Sequence, residues 1–198
     1  MSRTGKIRKE IFEWVILLSV ASFLYISGMH TEVLGLMQRA ILQTGIFEPE
    51  QISVEEQIAA GYDFKLKDRN GNIVDFNDFR NKTVFMNMWA TWCAPCLAEM
   101  PDIHSLYSEM GNKDISFVMI AFDKDFDKAL AYADGKGFDF PIYKLITSLP
   151  PQYNSQSIPA TYVISPDGKI VSKRMGMAKY NTQEFKDFLA RLNSTPST

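Results

Sequence analysis

Cysteine and histidine are scarce in this chain, with two of each among 198 residues. Two cysteines separated by two residues, Cys93 and Cys96, cannot staple a scaffold, which needs several pairs spread along the chain. They also make no structural zinc site with His30 and His104, because such a site needs four ligands, usually as two spaced pairs. A large excess of one charge is missing too. The formal net charge is −2, so no global field favours nucleic acid. Internal repeats and low-complexity tracts are absent. The 46% hydrophobic and 22% charged residues are those of a folded globular protein, and the length suits one domain plus additional sequence.

Basic residues do cluster at the start, where Arg3, Lys6, Arg8 and Lys9 face only Glu10. The stretch Trp14 to Met29 then carries no charge, and Ile11 to Met29 carries only Glu13. That approaches the roughly 20 residues needed to cross a bilayer core, with Trp14 and Tyr25 suited to its interfaces. A cleaved signal peptide shares the pattern, but no small-x-small cleavage site follows the apolar run. A buried core helix leaves the basic cluster unexplained. An uncleaved signal anchor accounts for both, and the Lys/Arg excess keeps the N-terminus cytoplasmic and sends residues 30–198 across the membrane. No cysteine follows the run to carry an N-terminal lipid.

Beyond it, Val33, Leu34, Leu36, Met37, Ile41 and Leu42 give Glu32 to Phe47 a helical period, read as an amphipathic spacer helix. Pro49 to Gly61 is polar and acidic and reads as a linker. The expected organisation is a basic tail (1–10), a transmembrane signal anchor (11–29), a spacer and linker (30–60), a folded domain (61–193) and a short tail (194–198). In the domain, residues 62–67 and 73–76 flank Asn70-Gly71 as a hairpin, since Asn-Gly tolerates positive φ. Residues 83–89 and 115–122 are apolar runs of buried-strand length. Residues 94–110 and 126–136 have helical periods. Residues 160–164 and 169–174 flank Ser165-Pro-Asp-Gly168 as a second hairpin, and Thr182 opens a last helix with Phe185, Phe188, Leu189 and Leu192 on its apolar face. A β-α-β start followed by a hairpin and a helix is an α/β sandwich with a mixed sheet.

The cysteines stand where a buried strand hands over to a helix. At i and i+3 on a first helical turn they come close enough to bond. The partial positive charge and unpaired N–H groups of the helix N-terminus favour a thiolate, which keeps the first cysteine nucleophilic near neutral pH. Pro95 suits an early helical position because its missing N–H has no partner there.

Asn87-Met-Trp-Ala-Thr-Trp92-Cys93-Ala-Pro95-Cys96, then Glu99 and Pro101, and Ile158-Pro159-Ala-Thr161 farther on, resemble the thioredoxin superfamily and within it the membrane-anchored TlpA/ResA-like thiol–disulfide oxidoreductases. The resemblance covers about Gly61 to Leu192. It implies a thioredoxin-like α/β sandwich, a central mixed β-sheet flanked by helices with an N-terminal β-hairpin, preceded here by the transmembrane helix and helical spacer. It implies that Cys93 attacks a substrate disulfide and Cys96 resolves the mixed disulfide, with no cofactor beyond the Cys93–Cys96 pair and no metal. Pro159 would be a cis-proline facing the pair, and Ile158 would present its backbone to an extended substrate. Trp92 would cover the disulfide. Asn87 stands where cytoplasmic thioredoxins have a buried aspartate. An amide cannot serve as a general base. The TlpA-like group often has Asn there and a glutamate after the second cysteine, matched by Glu99. The resemblance therefore implies that Glu99 helps manage the proton or the local potential, the other reading being a helix-surface or capping glutamate. The implied partners are protein disulfide substrates and a membrane thiol electron donor, with the domain on the periplasmic side of the cell inner membrane, in cytochrome c maturation or thiol repair.

Two other classes share the fold. A peroxiredoxin-like thiol peroxidase normally has Thr-x-x-Cys with a supporting arginine, whereas here Trp92 precedes a CxxC. A non-enzymatic binding or copper-delivery module does not need intact CxxC and Ile-Pro motifs, and the copper type has a wider cysteine spacing. His104 reads as a surface or packing histidine. Asn81-Lys-Thr83 and Asn193-Ser-Thr195 match glycosylation acceptors by chance if the source is bacterial.

Overall fold

An apolar run can be buried on both faces only at the middle of a covered sheet, and all seven residues of Thr83–Trp89 are buried. The computed structural model describes residues 3–26, 49–111, 115–153, 155 and 157–194. Its strands are β1 (Ile58–Ala59), β2 (Lys65–Lys67), β3 (Ile73–Asp75), β4 (Thr83–Trp89), β5 (Ile115–Ala121), β6 (Ile142–Leu145), β7 (Ala160–Ile164) and β8 (Lys169–Met175). Its helices are α1 (Arg3–Ile26), α2 (Ala94–Met110), α3 (Phe126–Lys136) and α4 (Gln183–Ser194). The strands form one mixed sheet in the order β1-β8-β7-β4-β5-β6-β2-β3. Strands β4, β5 and β6 are parallel, and all other pairs are antiparallel.

Successive crossovers β4-α2-β5 and β5-α3-β6 advance in one direction. Their right-handedness therefore sends both helices to the same face. Phe85 and Trp89 of β4 point there, into a core completed by Met100 and Ile103 of α2, Ala129 and Ala133 of α3, and Phe185 and Leu189 of α4. Val84, Met86 and Met88 alternate to the opposite face. Phe64, Phe76, Tyr153 and Tyr162 close that second core. Phe64 stacks on Phe76 at 4.1 Å, so the hairpin and the short 3-10 helices Phe76–Phe79 and Pro151–Tyr153 do the covering.

The expected mixed sheet, both hairpins and the three domain helices are present. Gly71 takes φ +87° at the first turn, and Asp68 accepts from the backbone N–H groups of Asn70 and Asn72. Thr182 Oγ1 accepts from Phe185 N and opens α4. Two features depart from expectation. The segment expected as a linker docks on the sheet: β1 pairs with β8, Ile52 N donates to Val171 O and Ser172 Oγ to Glu50 O. Its polar side chains concealed a backbone that pairs, and contacts with the sheet reach back to Glu50 rather than starting at 61. Strand β6 was also unforeseen, because its four residues are short and mostly half-buried.

The N-terminal expectation meets α1. Its apolar side chains, Phe12, Trp14, Leu17, Leu18 and Phe23 among them, are exposed. Among the described residues no helix is long and apolar enough to cross a membrane. The expected span of 11–29 runs past the end of α1, and the spacer helix of 32–47 lies outside the described residues.

Candidate active site

Buried strand β4 delivers the chain to Trp89, and residues 90–92 turn it into α2. That turn is held by Asp123, the second residue after β5, which is itself buried. Its carboxylate accepts from Thr91 N at 3.0 Å and from the Thr91 hydroxyl, and Phe122 N donates to Trp89 O. Cys93 thereby becomes the N-cap of α2, with Pro95 in the first turn. Its Sγ accepts from Cys96 N at 3.3 Å, one of the N–H groups a helix start leaves unpaired. That same bond, with the helix dipole, would stabilise a Cys93 thiolate on reduction.

Cys93 and Cys96 form a disulfide with Cα atoms 5.2 Å apart. Cys93 is 6% exposed and Cys96 fully buried, so an incoming sulfur meets Cys93. Beside it stands Trp92, 62% exposed. Across from it the Ile158–Pro159 peptide bond is cis, and Ile158 O lies 3.7 Å from Cys93 Sγ. The residues the sequence nominated near the disulfide thus come from two places, Trp92, Cys93, Pro95 and Cys96 from the junction of β4 and α2, and Ile158 and Pro159 from the turn just before β7.

Asn87 and Glu99 lie deeper. Both are fully buried, and Asn87 Nδ2 donates to Glu99 Oε1 and to Thr161 Oγ1, each at 2.9 Å. Ala178 N donates to Glu99 Oε2 at 3.1 Å, and Tyr180 OH donates to Thr161 Oγ1 at 2.7 Å. Glu99 is no surface glutamate. Burial pushes its carboxyl up to about 8, against the lowering pull of the bonds from Asn87 and Ala178. Burial likewise raises the Tyr180 phenol well above its ordinary value. Asn87 Oδ1 is buried without a hydrogen-bond partner among the described residues. The site therefore stores a proton at Glu99 near neutral pH, next to a redox disulfide on the same helix.

Sequence reasoning missed Asp123, Tyr180 and Ala178. A carboxylate two residues beyond a buried strand, the first of the Asp123-Lys124-Asp125 run, was the available signal for Asp123. Nothing local marks Tyr180, whose role depends on packing under β4. His104 is as expected a packing residue, bonded to Asp139 at 2.9 Å and resting on Phe138. Among the described residues no group of three or more His, Cys, Asp or Glu is arranged to hold a metal.

A family model described as the AhpC/TSA family matches residues 59–173. The chain belongs to the AhpC/TSA family. The thioredoxin-like protein YneN of Bacillus subtilis (strain 168) is 31% identical over 143 residues, covering 71% of this chain and 83% of that one. The thiol-disulfide oxidoreductase ResA of the same strain is 29% identical over 121 residues, covering 59% and 68%. Among solved structures, a secreted thiol-disulfide isomerase from Corynebacterium glutamicum superposes with a TM-score of 0.55 at 20% identity, covering 74% of this chain and 92% of that one, a likeness of fold. As an AhpC/TSA family chain with a thioredoxin-like sheet and a CxxC pair at a helix start, it is a thiol–disulfide oxidoreductase.

Proposed function

We propose that the protein is a membrane-anchored disulfide reductase that works outside the cytoplasm. The observation that carries the redox step is the asymmetry of the pair, with Cys93 slightly exposed as the N-cap of α2 and Cys96 fully buried behind it. In the reaction the Cys93 thiolate attacks a protein disulfide, forming a mixed disulfide and releasing one substrate thiolate, which takes a proton. The Cys96 thiolate then displaces the second substrate sulfur and regenerates the Cys93–Cys96 disulfide. Two electrons pass to the substrate, and a membrane thiol donor returns them. Trp92, Ile158 and Pro159 frame the attacked sulfur. Glu99, protonated near neutral pH and held by Asn87, supplies or receives the proton that accompanies exchange.

The anchor rests on the basic cluster at 3–9, the uncharged run that follows it and the exposed apolar faces of α1. A positive end followed by apolar residues orients the domain toward the extracytoplasmic side. Reduction within cytochrome c maturation and general thiol repair are the two roles that the TlpA/ResA resemblance implies.

The test replaces Cys96 with Ser in the native cell and identifies what stays bonded to Cys93. Apocytochromes alone fit a maturation role, and a broad set of proteins fits thiol repair. Nothing trapped, together with turnover of peroxide, contradicts a disulfide reductase and favours the peroxidase alternative.

A further inference from the structure

The hydrogen bonds around Glu99 fit only one of its two protonation states. Asn87 Nδ2 donates to Glu99 Oε1 and to Thr161 Oγ1, each at 2.9 Å, and Ala178 N donates to Glu99 Oε2 at 3.1 Å. Both partners of the carboxyl are donors, which suits a carboxylate, since that group only accepts. A protonated carboxyl has a hydrogen to give, and neither partner can take it. The acceptor end of the same amide, Asn87 Oδ1, is buried without a hydrogen-bond partner among the described residues. A buried donor and a buried acceptor left unpaired side by side are costly.

Half a turn of the Asn87 amide exchanges Oδ1 and Nδ2 within nearly the same volume. Oδ1 then receives the Glu99 O–H. Thr161 Oγ1, which accepts from both Asn87 and Tyr180 OH, afterwards accepts from Tyr180 and donates its own hydrogen to Asn87 Oδ1. The unpaired end of the amide passes from Oδ1 to Nδ2, and every hydroxyl hydrogen in the chain Tyr180–Thr161–Asn87–Glu99 has an acceptor. The other groups that face Glu99 cannot take its proton in this way. Asp102 of α2 spends its carboxylate on the Tyr180 and Asn181 N–H groups. Arg174 of β8 is a cation and accepts nothing. Burial holds the Tyr180 phenol neutral, well above its ordinary value.

We infer that Asn87 is a positioning residue whose amide turns over when Glu99 gains or loses a proton, so that the buried carboxyl has a matching partner in both states. This rests on the reading of Glu99 as the proton-carrying group of the reductase, and adds how a proton comes and goes beneath a sealed disulfide with only one side chain rearranging. It also gives an amide at position 87 a use that a carboxylate lacks: an aspartate there has no N–H for ionised Glu99 and repels it.

The experiment uses the oxidised full chain in detergent micelles, with 15N at asparagine. Asn87 is fully buried, which slows exchange of its amide protons with water, and Asn87→Ser assigns its signals by their loss. Nuclear Overhauser contacts from the Asn87 amide protons to Thr161 are recorded near pH 6 and near pH 9.5, either side of the Glu99 value of about 8. The expected result is contacts at the higher pH that are lost at the lower one, with the 15N shift following the same titration. Glu99→Gln supplies a second arm. Its new amide must aim oxygen at Ala178 N and therefore NH2 at Asn87, so Asn87 should stay turned and the contacts should be missing at both pH values. Contacts that persist at both pH values in the unmodified protein, or that appear in Glu99→Gln, would overturn the turning amide. Release of thiols from a protein disulfide by the same preparation, once reduced, is read separately. A fixed amide with release intact sinks this inference alone, whereas a turning amide without release sinks the reductase reading.

Discussion

At the scale of single residues the proposed reaction rests on two cysteines and one glutamate. Cys93 Sγ takes an N–H from Cys96 at the start of α2, and Cys96 is shut away; electrostatics and access both select Cys93 as the attacking sulfur. Glu99 adds a titration that stability can report. Its pKa in the folded protein, about 8, stands above that of an unfolded glutamate, so between the two values the unfolded chain has released a proton that the folded chain retains. Stability then falls as pH rises from about 4.5 to about 8, by up to about 1.4 kcal/mol for each pH unit, and levels off above that window. In Glu99→Gln this contribution to the slope should vanish, and any inflection near pH 8 in the exchange rate should vanish with it. Denaturant unfolding of both proteins across pH 5 to 8, beside stopped-flow exchange rates, checks this. Parallel slopes would remove Glu99 from the proton account, and an unchanged rate profile would remove it from catalysis.

At the scale of elements, α1 is the piece whose role the rest of the fold does not explain. Exposed Phe12, Trp14, Leu17 and Leu18 are unfavourable in water, and a bilayer is the surroundings that would bury them on every face. The full-length protein should stay with membranes through high salt and carbonate and leave only in detergent; release by salt or carbonate would contradict the anchor. Elements differ in how far the sequence disclosed them. Strands β4 and β5 were legible because a charge-free run of seven residues has few other fates, and the second hairpin because Pro-Asp-Gly punctuates it. Strand β1 was not, since its two residues, Ile58 and Ala59, follow an acidic stretch that looks like a linker and pair with β8 through backbone groups alone. The same limit applies at the site. Cys93, Cys96 and Pro159 could be placed from motif and spacing. The bonds from Asp123 to Thr91 and from Tyr180 to Thr161 join residues distant in the chain, and no local pattern encodes them. Glu99 shows the boundary well: its helix position was plain, but its burial depends on the 176–182 connection folding over it, with Ala178 as the donor.

At the scale of the whole molecule, a parallel strand trio ends in one crevice that holds the disulfide and the cis Ile158–Pro159 bond. The segment from Glu50 pairs along β8 at the edge of the sheet. The most direct test of the central claim follows one turnover of the reduced full chain on a protein disulfide, with products separated under acid quench and mapped by mass spectrometry. The account predicts that the unmodified protein yields two substrate thiols and a Cys93–Cys96 disulfide, that Cys96→Ser stops at a mixed disulfide on Cys93, and that Cys93→Ser yields neither. A mixed disulfide mapped to Cys96, or substrate reduction that survives Cys93→Ser, would contradict it.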